Sequence, residues 1–382
     1  MRYIDAVLCT VGASLLTNLK KSDVPEIKAA FEKLNQGDFK SAAAEMLKIK
    51  DPADRVLGAE INSMYSLIQK GYIDSTQKLY LLVSDTQDGD QMGKLLKEYF
   101  LSKQCAMQFK NVEIVKAEKL SDKNRHEFRT HGLRNLAREM ARVAKDNLNR
   151  IMVNATGGYK ATIAYAVVLG QALNIPVYYK YENFDEIIEL LPLPVSLSAK
   201  VYEKHKNVFA YLDCFDTVEE EIFLKQFGYA SWAKVEDELK ILLDRVEMEG
   251  KELISINPLG EIYLESFEWD CSVLDQPFLK TDRDPEDKIA GTGGHGQRVL
   301  DENLVVLKRI AKTPWVGSIQ QTGSSEIESG QAHRLWVEGR QLKLMLHSKK
   351  GIGHYIIKPA VETRSPRLLE CMKRKLEEII SE

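Results

Sequence analysis

Apolar runs and amphipathic stretches alternate through the first half of the chain. Residues 2–9, 79–84, 111–116, 150–154 and 175–181 are short, nearly continuous apolar runs of strand length, and stretches such as 90–102 and 128–147 carry the helical period between them. Strands alternating with helices predict a parallel sheet covered on both faces. The polar, acidic stretch 20–75 reads as a helical insertion ahead of the second strand. Leu191-Pro192-Leu193-Pro194 breaks the pattern and sets a first boundary. Beyond it, 216–227 and 231–245 read as helices, the second starting at a Ser231 cap. The alternating 251–256 and 261–265 read as a hairpin around Asn257-Pro258-Leu259-Gly260, which completes a small winged-helix plan. The Gly- and Pro-rich segment 276–297 reads as a linker. A helix over 297–312 stops before Pro314, a Ser/Gly-rich loop covers 317–330, three short strands cover 332–337, 341–346 and 352–358, and a helix over 366–380 closes the chain. The predicted architecture is α/β: a Rossmann-like parallel-sheet domain over 1–192, a winged-helix linker domain over 195–275, and a small α+β domain over 290–382.

Composition fits this division. At 382 residues the chain exceeds one compact core, and 44% hydrophobic with 29% charged residues is globular usage. No apolar run approaches the roughly 18–20 residues of a membrane span, and Asp5 interrupts the N-terminal apolar stretch where a leader would need continuity. The cysteines Cys9, Cys105, Cys214, Cys271 and Cys371 stand far apart with no C-x-x-C pair, which predicts reduced thiols in a cytoplasm and no zinc site. The net charge of −3 conceals an asymmetry: from Arg298 onward 15 Lys and Arg face 10 Asp and Glu, so this piece carries +5 and the remainder −8. Four of the seven histidines, His295, His333, His347 and His354, lie in the last 88 residues. The C-terminal piece is therefore the better candidate for touching a polyanion.

Candidate chemistry gathers in loops that follow strands. Asn154-Ala155-Thr156-Gly157-Gly158-Tyr159-Lys160 lies between the run Arg150–Val153 and an apolar helix over 161–173. Strand, Gly-Gly turn and helix start build an anion pocket from free N–H groups and the helix dipole, with Lys160 as a mobile cation. It is neither a Walker loop nor a G-x-G-x-x-G fingerprint. Thr10-Val11-Gly12-Ala13-Ser14-Leu15-Leu16-Thr17-Asn18 follows the first strand in the same manner, and both loops belong on the edge where ligands collect in open parallel sheets. A third loop, Ser84-Asp85-Thr86, ends the run Leu79–Val83; its Asp85 would repel phosphate and suits ribose hydroxyls or a helix cap. Arg125, His126, Arg129, His131, Arg134 and Arg138 read as a solvated basic helix face, and Gly291-Thr292-Gly293-Gly294-His295-Gly296, with no strand before it, as a flexible connector.

The pair T-x-G-x-S-L-L-T-N after the first strand and N-A-T-G-G-x-K before a late helix resembles the CARF domains of type III CRISPR defence, over roughly residues 1–190. That resemblance implies a sensor of cyclic oligoadenylates, most often cyclic tetra-adenylate, held as one ring across the two-fold axis of a homodimer. It places Thr10, Gly12, Ser14, Leu15, Thr156, Gly157, Gly158 and Lys160 around the ring, and Ser84, Thr86 and Asn154 complete the candidate binding set. Some relatives also cut the ring slowly, with a Ser and a Lys at positions like Ser14 and Lys160. The ring is an activator, and neither a cofactor nor a metal is implied.

A helix, a small antiparallel sheet studded with Arg, Lys and His, and a second helix resemble the RelE class of toxins, which cut messenger RNA in the ribosomal A site. Cleavage by the 2′-hydroxyl needs a base, a cation for the phosphorane and an acid for the leaving oxygen. Arg334, Arg340, Lys343, His347, His354, Tyr355 and Lys358 are the available groups. Strand alternation puts Arg334 with Trp336 on one face, turns Leu342, Leu344 and Leu346 to the core, and leaves Lys343, Met345 and His347 outward. A HEPN ribonuclease is disfavoured because Arg340 to His347 lies in strand-like sequence, and metal-dependent cutting because only Glu338 is acidic between 330 and 360. The expected protein is a homodimeric effector whose ring-bound sensor activates ribosome-dependent mRNA cleavage. The rivals are a ring nuclease and a ligand-controlled winged-helix regulator; the acid-rich 232–240 argues against DNA and favours a dimerising spacer.

Overall fold

The computed structural model describes residues 4–74, 77–181, 186–191, 197–267, 269–292, 294–325, 333–363 and 365–381. The chain forms two compact units, one of residues 1–202, 236–244 and 256–267, the other of 203–235, 245–255 and 268–382.

In the first unit β1 (Ala6–Thr10) is followed by four helices, α1 (Ser14–Lys21), α2 (Pro25–Asn35), α3 (Phe39–Met46) and α4 (Gly58–Gln69), which are the helical insertion that the polar stretch predicted. Then come β2 (Lys78–Ser84), α5 (Gln87–Leu101), β3 (Asn111–Ala117), α6 (Arg125–Glu127), a π-helical turn over Phe128–Gly132, α7 (Leu133–Asp146), β4 (Ile151–Asn154), α8 (Lys160–Leu173), β5 (Val177–Tyr179) and β6 (Ile188–Glu189). The strands order as β3-β2-β1-β4-β5-β6, all parallel except β6. All five residues of β1 are buried, as a strand covered on both faces requires. Val7 and Cys9 face one core with Leu79, Leu81 and Val83, while Ala6 and Leu8 face the other with Tyr80 and Leu82. Because β1 pairs with β2 on one side and β4 on the other, the connections diverge between β1 and β4, and the loops after these two strands meet there.

The middle of the chain departs from expectation. A 17-residue helix, α9 (Ala199–Phe215), comes first, then β7 (Thr217–Glu219) and α10 (Glu220–Phe227), so the helix expected over 216–227 opens with a strand. The helix expected over 231–245 is a 3-10 turn, the four-residue α11 (Asp237–Lys240), and the start of β8 (Leu243–Met248). The hairpin joins β8 to β9 (Lys251–Ile256), because Glu249 (φ 54°) and Gly250 (φ 78°) both take the left-handed conformation that a two-residue turn needs. Asn257-Pro258 is a helix start and no hairpin turn: Asn257 Oδ1 accepts the Gly260 N–H at 2.8 Å and Pro258 occupies the first position of α12 (Pro258–Glu265).

In the second unit the segment expected as linker holds 3-10 turns, β10 (Ile289–Ala290) and the start of α13 (Gly294–Ala311). The expected Ser/Gly loop is in large part a ten-residue strand, β11 (Val316–Ser325), its alternation hidden by small residues; 326–330 lie outside the described residues, as do Pro192 and Pro194 of the first expected boundary. The hairpins β12 (Arg334–Glu338), β13 (Gln341–Ser348) and β14 (Gly351–Pro359) follow, and α14 (Pro366–Ser381) closes the chain. The sheet has five strands where three were expected, ordered β10-β11-β14-β13-β12. Leu342, Leu344, Leu346 and Ile357 pack on one face with Leu300, Leu307 and Ile310 of α13 and Leu368, Leu369, Met372 and Leu376 of α14. One expectation about cysteines is corrected: Cys271 and Cys371, 100 residues apart, form a disulfide with their Cα atoms 5.3 Å apart, while Cys9, Cys105 and Cys214 are buried free thiols. Sequence spacing carried no trace of that pairing because only the packing of α14 brings the two sulfurs together. Among the described residues no helix is long and apolar enough to cross a membrane, and no cluster of His, Cys, Asp and Glu fits a metal.

Candidate functional site

The two loops at the β1/β4 divergence touch backbone to backbone. An ideal Cβ on Gly12 would fall 2.5 Å from the Gly158 nitrogen, and one on Gly157 would fall 2.5 Å from the Thr10 carbonyl oxygen and 2.3 Å from Glu60 Oε1. Only glycine permits this approach. Thr10 Oγ1 donates to the Gly157 carbonyl at 2.6 Å and so ties the first loop to the second. Asn154 Nδ2 donates to Ser63 Oγ on α4 at 2.7 Å, and Thr156 Oγ1 donates to Asn154 Oδ1 at 2.6 Å and accepts the Lys180 N–H at 3.1 Å.

These contacts sort the expected ligand residues into two groups. Thr10, Leu15, Asn154 and Gly157 are buried, and their side chains or carbonyls build the frame. The N–H of Gly12, a residue placed around the ring by the resemblance, donates inward to Glu60 Oε1 at 2.6 Å. Ser14, Gly158 and Lys160 are exposed on the loops, with Thr156 half-buried between frame and surface. Lys160 is the first residue of α8, a 14-residue helix whose N-terminal amides favour an anion. In the third loop Ser84 and Thr86 bond to each other at 2.9 Å, and Thr86 caps α5 by accepting the Gly89 N–H at 3.0 Å. Asp85 faces away from that cap, accepting the Lys119 N–H at 3.0 Å and pairing with Lys116 at 3.4 Å.

Sequence reading missed Glu60. It is fully buried, burial pushes its carboxyl up from the ordinary range, and the Gly12 N–H and Ser14 hydroxyl beside it only partly oppose that. The available signal was its place on α4: Leu57, Glu60, Ile61, Met64 and Leu67 share the helical period of a buried face. The basic helix face is corrected in part: Arg125, His126 and Arg129 are exposed, as expected of a solvated face, but Arg134 and Arg138 turn inward. Arg134 is buried and pairs with Glu261 of α12 at 3.2 Å, Arg138 reaches the same carboxylate at 2.6 Å, and Arg129 approaches Asp244 at 3.7 Å. Glu261, from a distant stretch of chain, neutralises the inner part of what sequence order alone left as a solvated cationic stripe. His131 among these cations is held down to about 4, first by burial and then by Lys119, Arg134, His126 and Arg138.

A second cluster lies on the face of the five-stranded sheet opposite α13 and α14. Register puts Trp336 beside Lys343, Arg334 beside Met345, and Met345 beside His354, with Lys358 four residues further along β14. The Arg334 guanidinium sits 5.2 Å from the Trp336 ring centre. Lys343 pairs with Glu338; the His347 N–H donates to His333 Nδ1 at 3.2 Å, and His354 Nε2 lies 3.1 Å from Ser325 Oγ. His347 Nε2 is buried without a hydrogen-bond partner among the described residues. Tyr355 points the other way, into the core, where burial raises its phenol to about 12, and Arg340 occupies the tight turn after Gly339. The sheet therefore gathers Arg334, Lys343, His347, His354 and Lys358 on one face and leaves Tyr355 and Arg340 off it. Buried Gln321 accepts from Thr292 N at 3.1 Å and donates to the carbonyl of Gly296, in the first turn of α13, at 2.9 Å.

Residues 55–194, which include Glu60, β4 and the whole Gly-Gly loop, match the family model described as CRISPR-associated protein (Cas_APE2256). The matched span is just over a third of the chain, and over that span the similarity supports a CRISPR-associated role.

Proposed function

We propose that the chain is a CRISPR ancillary effector in which the first unit binds a cyclic oligoadenylate, cyclic tetra-adenylate by preference, and thereby activates a metal-independent ribonuclease of RelE type that acts on ribosome-bound mRNA. The observation that carries the reading is the apposition of the two glycine loops at the β1/β4 divergence, with Ser14, Gly158 and Lys160 exposed on them, the second loop lying inside the span 55–194 that matches a CRISPR-associated family and the first preceding it. A free helix N-terminus and one ammonium suit a ribose-phosphate backbone. A homodimer would set two such surfaces around one ring, and activation requires the ring to favour one arrangement of the dimer, since equal affinity for both shifts nothing.

For the effector, the basic sheet face supports RNA as substrate. Arg334 over Trp336 offers a cation and a stacking surface, Lys343 and Lys358 offer charge for a phosphorane, and His347 and His354 are candidates for base and acid. The segment from α9 to β9 follows the helix–strand–helix–helix–hairpin order of a winged helix. Its α11 is only four residues long and begins with Asp237 and Glu238, which suits a dimerising spacer and opposes reading of a DNA groove.

A translation reaction with and without cyclic tetra-adenylate tests this, comparing the wild type with Lys160→Ala and Arg334→Ala. The first variant is expected to need more ligand for activation, the second to lose mRNA cutting with the ring still bound. Full ring-dependent cutting by both would overturn the assignments. Ser14 exposed on the same surface favours a second activity, slow ring opening. Labelled ring incubated with the protein separates the two: rapid opening without ribosome-dependent cleavage would make the chain a ring nuclease.

A further inference from the structure

Among the described residues, Glu60 is a carboxylate that touches both glycine loops. It projects from α4, in the insertion between β1 and β2, and is fully buried. Oε1 accepts the Gly12 N–H at 2.6 Å, and the same oxygen lies where a Cβ of Gly157 would intrude at 2.3 Å. Oε2 is buried and accepts no hydrogen bond of ordinary geometry among the described residues, although the Ser14 hydroxyl lies near enough to the carboxyl to favour its charged form. A helix designed only to pack would carry an apolar side chain there, as its neighbours Leu57, Ile61 and Met64 do. Burying a carboxyl with one oxygen lacking an ordinary hydrogen bond costs stability, and such a cost is retained where the group does something else.

We infer that Glu60 is the positioning residue of the ligand surface: it holds the Gly12 peptide down against the Gly-Gly loop, so that Ser14 on one loop and Gly158 and Lys160 on the other present together. The inference rests on the proposed reading of the first unit as a nucleotide sensor. Three tethers fix the geometry, and each reaches a different partner. Thr10 Oγ1 binds the Gly157 carbonyl, Asn154 binds Ser63 on α4, and Glu60 binds Gly12. Removing Glu60 releases the only one of the three that holds the segment carrying Ser14, and leaves the Gly12 N–H buried without an acceptor. Gln in its place keeps an acceptor oxygen at the same reach and no longer needs to be neutral to tolerate burial.

The test compares full-length wild type, Glu60→Gln and Glu60→Ala in two measurements. In titration calorimetry with cyclic tetra-adenylate, Glu60→Ala is expected to weaken binding by about tenfold or more, as loss of an orienting hydrogen bond does, while Glu60→Gln stays within about threefold of wild type. In amide hydrogen exchange without ligand, the peptide carrying Gly12 and Ser14 is expected to exchange faster in Glu60→Ala, with β2 and β3 unchanged, and at the wild-type rate in Glu60→Gln. Equal affinity and equal exchange in the Ala variant would overturn the inference, as would an exchange increase spread over the whole unit, which marks a merely structural role. If the wild type binds no cyclic oligoadenylate, the sensor reading fails by itself, and the exchange measurement still decides whether Glu60 holds the loop.

Discussion

Gly157→Ala tests the frame of the site most directly. The new Cβ would lie 2.3 Å from Glu60 Oε1 and 2.5 Å from the Thr10 carbonyl oxygen, where ordinary contacts begin near 3.4 Å. One side must therefore retreat by about 1 Å. Neither yields easily: the carboxylate oxygen is held by the Gly12 N–H, and Thr10 ends β1, whose neighbours pair on both sides. Overpacking of this kind costs about 1–3 kcal/mol. For a unit of this size about 2 kcal/mol corresponds to a fall of roughly 4–8 °C in Tm. Differential scanning calorimetry should show that fall, and titration with cyclic tetra-adenylate should show weakened binding, because displacing the Gly157–Gly158 peptide moves the exposed surface. Gly323→Ala is the control: nothing lies within 4 Å of its Cβ position, and its Tm should stay within about 1 °C of wild type. A Gly157→Ala protein with wild-type Tm and affinity would refute the claim that the two loops depend on contact at this distance.

Three further outcomes follow from other parts of the molecule. Replacing Glu261 by Ala removes the buried carboxylate shared by Arg134 and Arg138, which costs about 3–5 kcal/mol; a Tm within about 2 °C of wild type on a calorimetric scan, the shift of a surface change, would contradict the pairing. His131 remains neutral in the folded protein down to about 4, whereas the unfolded chain takes up its proton near 6.5. Its contribution is therefore intact above about pH 6.5 and declines as pH falls towards 4, and His131→Asn should flatten that acid limb in urea titrations at stepped pH, an unchanged slope counting against the assignment. Cys271→Ser should lower the unfolding free energy of the second unit under oxidising conditions by no more than the roughly 4–5 kcal/mol that closing a loop of 100 residues can supply, and wild type with excess dithiothreitol should match it. Alkylation and mass analysis showing two free thiols in untreated protein would remove the disulfide from the account.

The sequence by itself determined the parallel sheet and its loops. A strand buried on both faces must be apolar throughout, and a Gly-Gly pair between an apolar run and a helix marks a turn, so β1, β2, β3, β4 and the two loops were legible within a few residues. Period two likewise turned Leu342, Leu344 and Leu346 inward and kept Arg334 with Trp336. Short-range signals failed where two readings used the same residues: Asn257-Pro258 serves a turn or a helix start, and only the left-handed pair Glu249–Gly250 decided which strands form the hairpin. Tertiary structure alone decided direction and partnership. It aimed the Gly12 amide at Glu60 and away from solvent, paired Arg134 and Arg138 with Glu261 more than a hundred residues later, turned Tyr355 into the core, and brought Cys271 to Cys371. Hydrophobic period reports which face of an element is buried; it carries no information about which distant polar group waits there, because that depends on how separate elements pack.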